Sequence, residues 1–172
     1  PLPETVDGIP ADSAPLLWLT GNQMSLTDFD WAVRTEIYKT FADRGSAPSL
    51  PELAAAAHGT TVQVRTALNS LLEAHEVAPD QAQDGVWMAH PFSGVPTDYQ
   101  VQTPRMTCYA NCAWDALGVP AILCTDGWTR THCAESGDAM EFGIRGGRVE
   151  GDDGVIHFVT PLRDAWVDIG FT

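Results

Sequence analysis

The chain of 172 residues carries 9 basic and 23 acidic side chains, a formal charge of −14 at pH 7, and 44% of it is hydrophobic. That apolar share supplies a packed core, while the acidic excess argues against nucleic acid and anionic membranes, both of which recruit Lys and Arg. No apolar run approaches the ~20 residues of a membrane-spanning helix, and four cysteines in a chain this long do not read as a disulfide-stapled miniprotein, so reduced thiols in the cytoplasm are expected.

Residues 1–24 form a Pro-rich arm, with Pro1, Pro3, Pro10 and Pro15 and no basic-then-apolar leader pattern. Its apolar patch, Leu16-Leu17-Trp18-Leu19, is expected to dock on the body. Three helices follow in a domain spanning 25–97. Thr27 caps the first, with Asp28 and Asp30 in its opening turn and Phe29, Val33, Ile37 and Phe41 recurring every four residues up to Gly45. Ser49-Leu-Pro-Glu52 is a capping box that opens a short second helix, with Leu53 and Ala57 inward and Gly59 as its stop. Thr60 or Thr61 opens the third, whose apolar side is Val64, Leu68, Leu71 and Leu72.

DGVWMAH and HPFSGVPT then read as a hairpin, giving the outline of a winged helix-turn-helix. Its would-be recognition helix carries only Arg65 against two glutamates, and residues 25–97 hold four basic and nine acidic side chains. A DNA reader needs a basic face, so the domain reads as scaffold.

The second half, 98–172, is expected to be α+β. YQVQ and MTCY read as strands, ANCAWDAL as a short helix closed by Gly118 and Pro120, and AILC as a strand. GWTRTHCA and AMEFGI form a hairpin about Gly137, Arg145-Gly-Gly-Arg148 a turn, VIHFVTP a strand ended by Pro161, and LRDAWVDIGFT a short helix or irregular stretch.

Within ANCAWDAL, Cys112 stands at a helix start, where the backbone partial charge favours thiolate, and is expected to be the most reactive thiol. Asp115, three residues on, projects to the same side and can carry a proton to or from a reacting group. Taken by themselves, the two residues read equally as a small buried cysteine and a favourable charge in a first turn. C-x3-C and C-x8-C spacings fit a zinc site poorly. Cys133 is expected in a core strand, His157 as a core histidine, and His90 in a loop.

From about residue 26 onward the chain resembles the organomercurial (alkylmercury) lyases. HPFSGVPTDYQV is similar to their linker and first catalytic strand, C-A-W-D at 112–115 to their Cys-x-x-Asp motif, and DALGVPA and THCAESG to the segments that follow. The resemblance implies an N-terminal winged-helix-like domain that does not bind DNA and a small mixed-sheet catalytic domain of the alkylmercury-lyase type. It also implies protonolysis of a carbon–mercury bond, with Cys112 capturing mercury and Asp115 delivering the proton that releases the hydrocarbon. Mercury is then substrate and product, held by Cys112 and Asp115, and no cofactor is implied. The implied partners are a small-molecule substrate, small thiols and a mercuric reductase. One departure stands out. No cysteine follows Cys133 up to Thr172, so the family's late second catalytic cysteine is expected either to lie beyond a chain cut just before it or to be missing in a variant with one catalytic cysteine. Cys124 and Cys133 remain as soft candidates, although the THCA cysteine is structural in that family. The other readings of the same pair are covalent or proton-transfer chemistry on a metal-free small molecule and a soft-metal-binding module.

The charge balance predicts that mixed-sequence duplex DNA, titrated at low salt and followed by fluorescence anisotropy, shows no binding. Micromolar, salt-sensitive binding would overturn the scaffold reading.

Overall fold

The computed structural model describes residues 25–80, 84–167 and 169, so the Pro-rich arm and its apolar patch lie outside the described residues. Helix α1 is Asp28–Arg44, α2 is Leu50–Ala56 and α3 is Thr61–Glu73. Each starts on a reciprocal capping box: Thr27 with Asp30, Ser49 with Glu52 and Thr60 with Gln63. The four-residue apolar spacing in α1 buries Val33, Ile37 and Phe41, and α3 buries Val64, Ala67, Leu68 and Leu71 against them. Gly45 ends α1 in the left-handed conformation, φ 74°, with its N–H donating to the Phe41 carbonyl at 2.8 Å. The second helix stops differently from expectation. The left-handed residue after α2 is His58, φ 55°, whereas Gly59 matters for space, because a Cβ there would come within 2.6 Å of the Phe29 ring.

Eight strands form one sheet in the order β1-β2-β3-β5-β4-β6-β7-β8. They are β1 Ala78–Pro79, β2 Val86–Ala89, β3 Phe92–Ser93, β4 Gln100–Gln102, β5 Thr107–Ala110, β6 Gly127–His132, β7 Ala139–Arg145 and β8 Arg148–Gly151. Every pairing among the described residues is antiparallel, where a mixed sheet was expected for the second half. The architecture is α+β, with the three helices preceding the sheet. The sheet runs without a break past residues 97–98, because β3 pairs with β5 at Phe92–Ala110 and Ser93–Tyr109. Phe92 also stacks on Phe41 at 5.0 Å between centroids, so one core joins the helices to the sheet.

Helix α4, Ala113–Ile122, lies between β5 and β6 in sequence and packs over β4 to β7. It runs through Gly118 and Pro120 instead of closing there. Val119 and Pro120 are buried, and Pro120 meets Gly127 so closely that a Cβ on that glycine would lie 2.8 Å away. The burial of this turn outweighs the N–H that Pro120 lacks. Consequently AILC is not a strand. Ala121 and Ile122 form the exposed last turn of α4, and Cys124, φ 50°, ends it.

VIHFVTP is not a strand either. Gly146 and Gly147, both left-handed, fold Arg148 directly back onto Arg145, so β8 takes the free edge of β7 and residues 152–161 continue without strand pairing. Val155 and His157 are exposed, which removes His157 from the core. Cys133 sits in the turn after β6, with its N–H on the Asp138 carbonyl, and not in a core strand. LRDAWV forms a 3-10 helix, Leu162–Val167. No described helix is long and apolar enough to cross a membrane.

Gly45 combines a left-handed φ with contact to β5, since a Cβ there would lie 2.4 Å from the Thr107 carbonyl oxygen. Gly45→Ala is therefore expected to lower stability by at least about 1 kcal/mol, read as a drop in the urea midpoint. An unchanged midpoint would show that this junction tolerates a shift of β5.

Candidate active site

The site forms where β5 hands over to α4. The Ala110 N–H still donates to the Tyr99 carbonyl, and the chain then leaves the sheet at Asn111. Cys112 is the N-cap residue of α4, extended at φ −151° and ψ −177°, and its carbonyl accepts the Ala116 N–H at 2.9 Å. An extended N-cap followed by helix places residue i+3 beside the cap, which puts the Asp115 carboxylate next to the thiol. Asp115 is only 8% exposed. Trp114, between them, points outward, 57% exposed, with its ring edge-on to Phe158 at 6.1 Å.

A buried carboxylate needs donors. Asp115 finds two, both at Oδ2: Nδ2 of Asn111 at 3.1 Å and Nδ1 of His90 at 3.1 Å. Asn111 lies one helical turn before Asp115, whereas His90 comes from the turn between β2 and β3. The His90 backbone carbonyl accepts the Tyr38 hydroxyl of α1 at 2.9 Å. Its ring meets Trp166 edge-on at 5.9 Å, and Trp166 in turn stacks on His75 at 4.8 Å. Burial raises the Tyr38 hydroxyl pKa, opposed by Arg34 and aided by Glu76 and Asp115.

The thiols differ from their sequence expectation. Burial, and then the Asp115 carboxylate, push the Cys112 pKa up, and the backbone N–H groups of Asp115 and Trp114 only partly offset this. The helix start is present, but the dipole does not win against desolvation and a neighbouring negative charge. At neutral pH Cys112 is therefore a thiol that keeps its proton. Burial of Cys108 on β5 pushes its thiol up to about 11. Cys133 goes down, because the Ser136 hydroxyl and the Ser136 and Glu135 backbone N–H groups stabilise its thiolate. Cys124 is exposed beyond the end of α4.

The structure thus brings Cys112 and Asp115 together, as the Cys-x-x-Asp spacing led one to expect, and leaves Cys108, Cys124, His132 and His157 out of the hydrogen-bond network around Asp115. Sequence reading missed two members. Asn111 had a usable signal, its four-residue spacing from Asp115; His90, 25 residues away, had none. Among the described residues no group of three or more His, Cys, Asp or Glu side chains is placed to hold a metal ion. Two surface hollows of about 330 and 360 Å³ lie along Gln102–Pro104, Trp128 and Arg145 and beside Cys124, and neither is lined by Cys112 or Asp115.

Two labelling outcomes follow. With a neutral alkylating reagent at pH 7 and peptide mapping, Cys133 is expected to react faster than Cys112, and Cys108 not at all in the native protein. Asp115→Asn removes the negative charge that holds the Cys112 proton, so Cys112 is expected to label faster in that variant, with its rate rising at lower pH than in the parent. Unchanged Cys112 labelling would mean that the carboxylate does not act on the thiol.

Comparison with known proteins supplies the family context for this pair. Residues 92–171 match the family model described as MerB, alkylmercury lyase. Among solved structures, the mercury-bound form of MerB2 is similar, with a TM-score of 0.60 and 22% sequence identity over 73% of this chain. The chain spans 60% of the length of that structure's chain. No curated protein matches the chain. From Phe92 through the β5–α4 junction that carries Cys112 and Asp115, to residue 171, the sequence therefore matches the alkylmercury lyase family, on a fold shared with MerB2.

Proposed function

We propose that this chain is an alkylmercury lyase-like enzyme that cleaves the carbon–mercury bond of organomercurials to Hg(II) and a hydrocarbon. The observation that carries the reading is the Cys112 thiol at the start of α4 beside the buried Asp115 carboxylate, inside the segment that matches that family. Mercury is soft and bonds thiolate far better than oxygen, while release of R–H requires a proton at carbon. The pair supplies both a sulfur and a proton.

The reaction is written for R–Hg–SR′, where SR′ is a small thiolate. Cys112 transfers its thiol proton to Asp115 as its sulfur bonds mercury. The thiolate that arrives on the substrate stays on mercury as the second sulfur. Both sulfurs add electron density to the metal, and the Asp115 carboxylic acid delivers its proton to carbon. The carbon–mercury bonding pair becomes the new C–H bond, R–H leaves, and Cys112–S–Hg–SR′ remains with Asp115 ionised again. Exchange with a further small thiol frees Cys112 and carries Hg(II) away, chemistry that would hand mercury to a reductase. Asp115 thus acts first as base and then as acid.

The test is hydrocarbon release from methylmercury with excess small thiol. The chain is expected to turn over repeatedly, with a rate that saturates in the small thiol, and Cys112→Ser is expected to lose at least about 100-fold of that rate. Absence of release from the parent chain, with mercury bound at Cys112, would point to a soft-metal-binding module instead.

A further inference from the structure

We propose that His90 is the positioning residue of Asp115, dedicating one carboxylate oxygen to anchoring and the other to proton exchange; this rests on the lyase reading above. Oδ2 of Asp115 lies 3.1 Å from Nδ1 of His90 and 3.1 Å from Nδ2 of Asn111, and the two nitrogens are 3.3 Å apart. An ionised carboxylate only accepts, so Nδ1 of His90 carries a hydrogen and donates it, which fixes the ring's tautomer on that side. Asn111 is oriented by the same argument. Turning its amide over would face an oxygen against Oδ2, so Nδ2 points at the carboxylate while Oδ1 of Asn111 is left buried with no partner. A buried, unpaired amide oxygen is a real cost, and it is accepted here in exchange for a second donor on Asp115.

Two donors converging on Oδ2 draw the negative charge to that atom and leave Oδ1 to take the Cys112 proton and pass it to carbon. Anchoring through Oδ2 also stops the carboxylate rotating between those two steps. His90 is itself held at both ends, by the Tyr38 hydroxyl on its carbonyl and by the Trp166 ring at its imidazole edge. The charged and titratable groups facing Asp115 are His90 from the β2–β3 turn, Cys112 from its own helix start and Tyr38 from α1. Of these only His90 donates to the carboxylate from outside its own segment.

The experiment compares His90→Phe, which keeps a ring against Trp166 but has no donor, with His90→Asn, whose amide nitrogen can stand where Nδ1 stood. For methylmercury protonolysis, His90→Phe is expected to lower kcat by about 10- to 100-fold with KM within about threefold, and His90→Asn to recover most of it. Parental kcat in His90→Phe, or a loss in His90→Asn equal to that in His90→Phe, overturns the proposal. An independent readout needs no turnover. A downfield, slowly exchanging imidazole N–H proton in the NMR spectrum is expected in the parent and lost in Asp115→Ala. Its absence from the parent overturns the proposal even where activity is normal. A parent chain that shows the resonance but releases no hydrocarbon defeats the lyase reading alone and leaves the His90–Asp115 anchor standing; the resonance likewise decides the matter if His90→Phe does not fold.

Discussion

The hydrogen bonds on Asp115 are the constraint around which the site is arranged. A carboxylate only 8% exposed needs hydrogen-bond donors, and the two it has come from different parts of the chain. Asn111 is supplied locally by the approach to α4. His90 is supplied by a hairpin 25 residues earlier, so the carboxylate is held correctly only when that hairpin is docked beside the start of α4. Burial, and then this same charge, raise the neighbouring Cys112 pKa. One carboxylate therefore bears on both the geometry and the thiol chemistry of the pair.

Docking of the hairpin depends on the helices that come before it. Phe41 stacks on Phe92 directly after the His90–Pro91 turn, Tyr38 holds the His90 carbonyl, and Gly45 lets α1 end against the Thr107 carbonyl of β5. The three-helix segment is thereby more than an attachment. Its first helix grips the histidine, and its core is continuous with the sheet that presents Cys112. Its contacts with the rest of the chain include the Phe41–Phe92 stacking, the Tyr38 hydroxyl on the His90 carbonyl and the ion pairs Arg34–Glu76 and Arg65–Asp84.

Local rules were enough for much of this. The caps at Thr27, Ser49 and Thr60, the apolar spacing of α1 and α3, the Gly137 hairpin and the Cys112–Asp115 adjacency all follow from interactions within a few residues, which sequence spacing encodes directly. Failures came where tertiary contacts decided. Apolar content alone made AILC and VIHFVTP look like strands, but burial of Pro120 against Gly127 extended α4 through the first, and β8 had already taken the β7 edge from the second. The raised Cys112 pKa has a related reason: the dipole of a helix start is visible in sequence, whereas the desolvation that opposes it is not. His90 was invisible as a partner because nothing in HPFSGVPT records which carboxylate its ring will face.

The central claim is that Asp115 takes the thiol proton and returns it to carbon. It is tested most directly by a single turnover of an excess of Asp115→Asn protein with methylmercury thiolate, beside the parent, with intact-protein mass and trapped methane read together. The account predicts that the parent ends as a Hg(II) adduct on Cys112 with one methane released, while Asp115→Asn stops as a methylmercury adduct on Cys112 with none. Methane release by Asp115→Asn at the parental rate, or an adduct on Cys133 in place of Cys112, would contradict it.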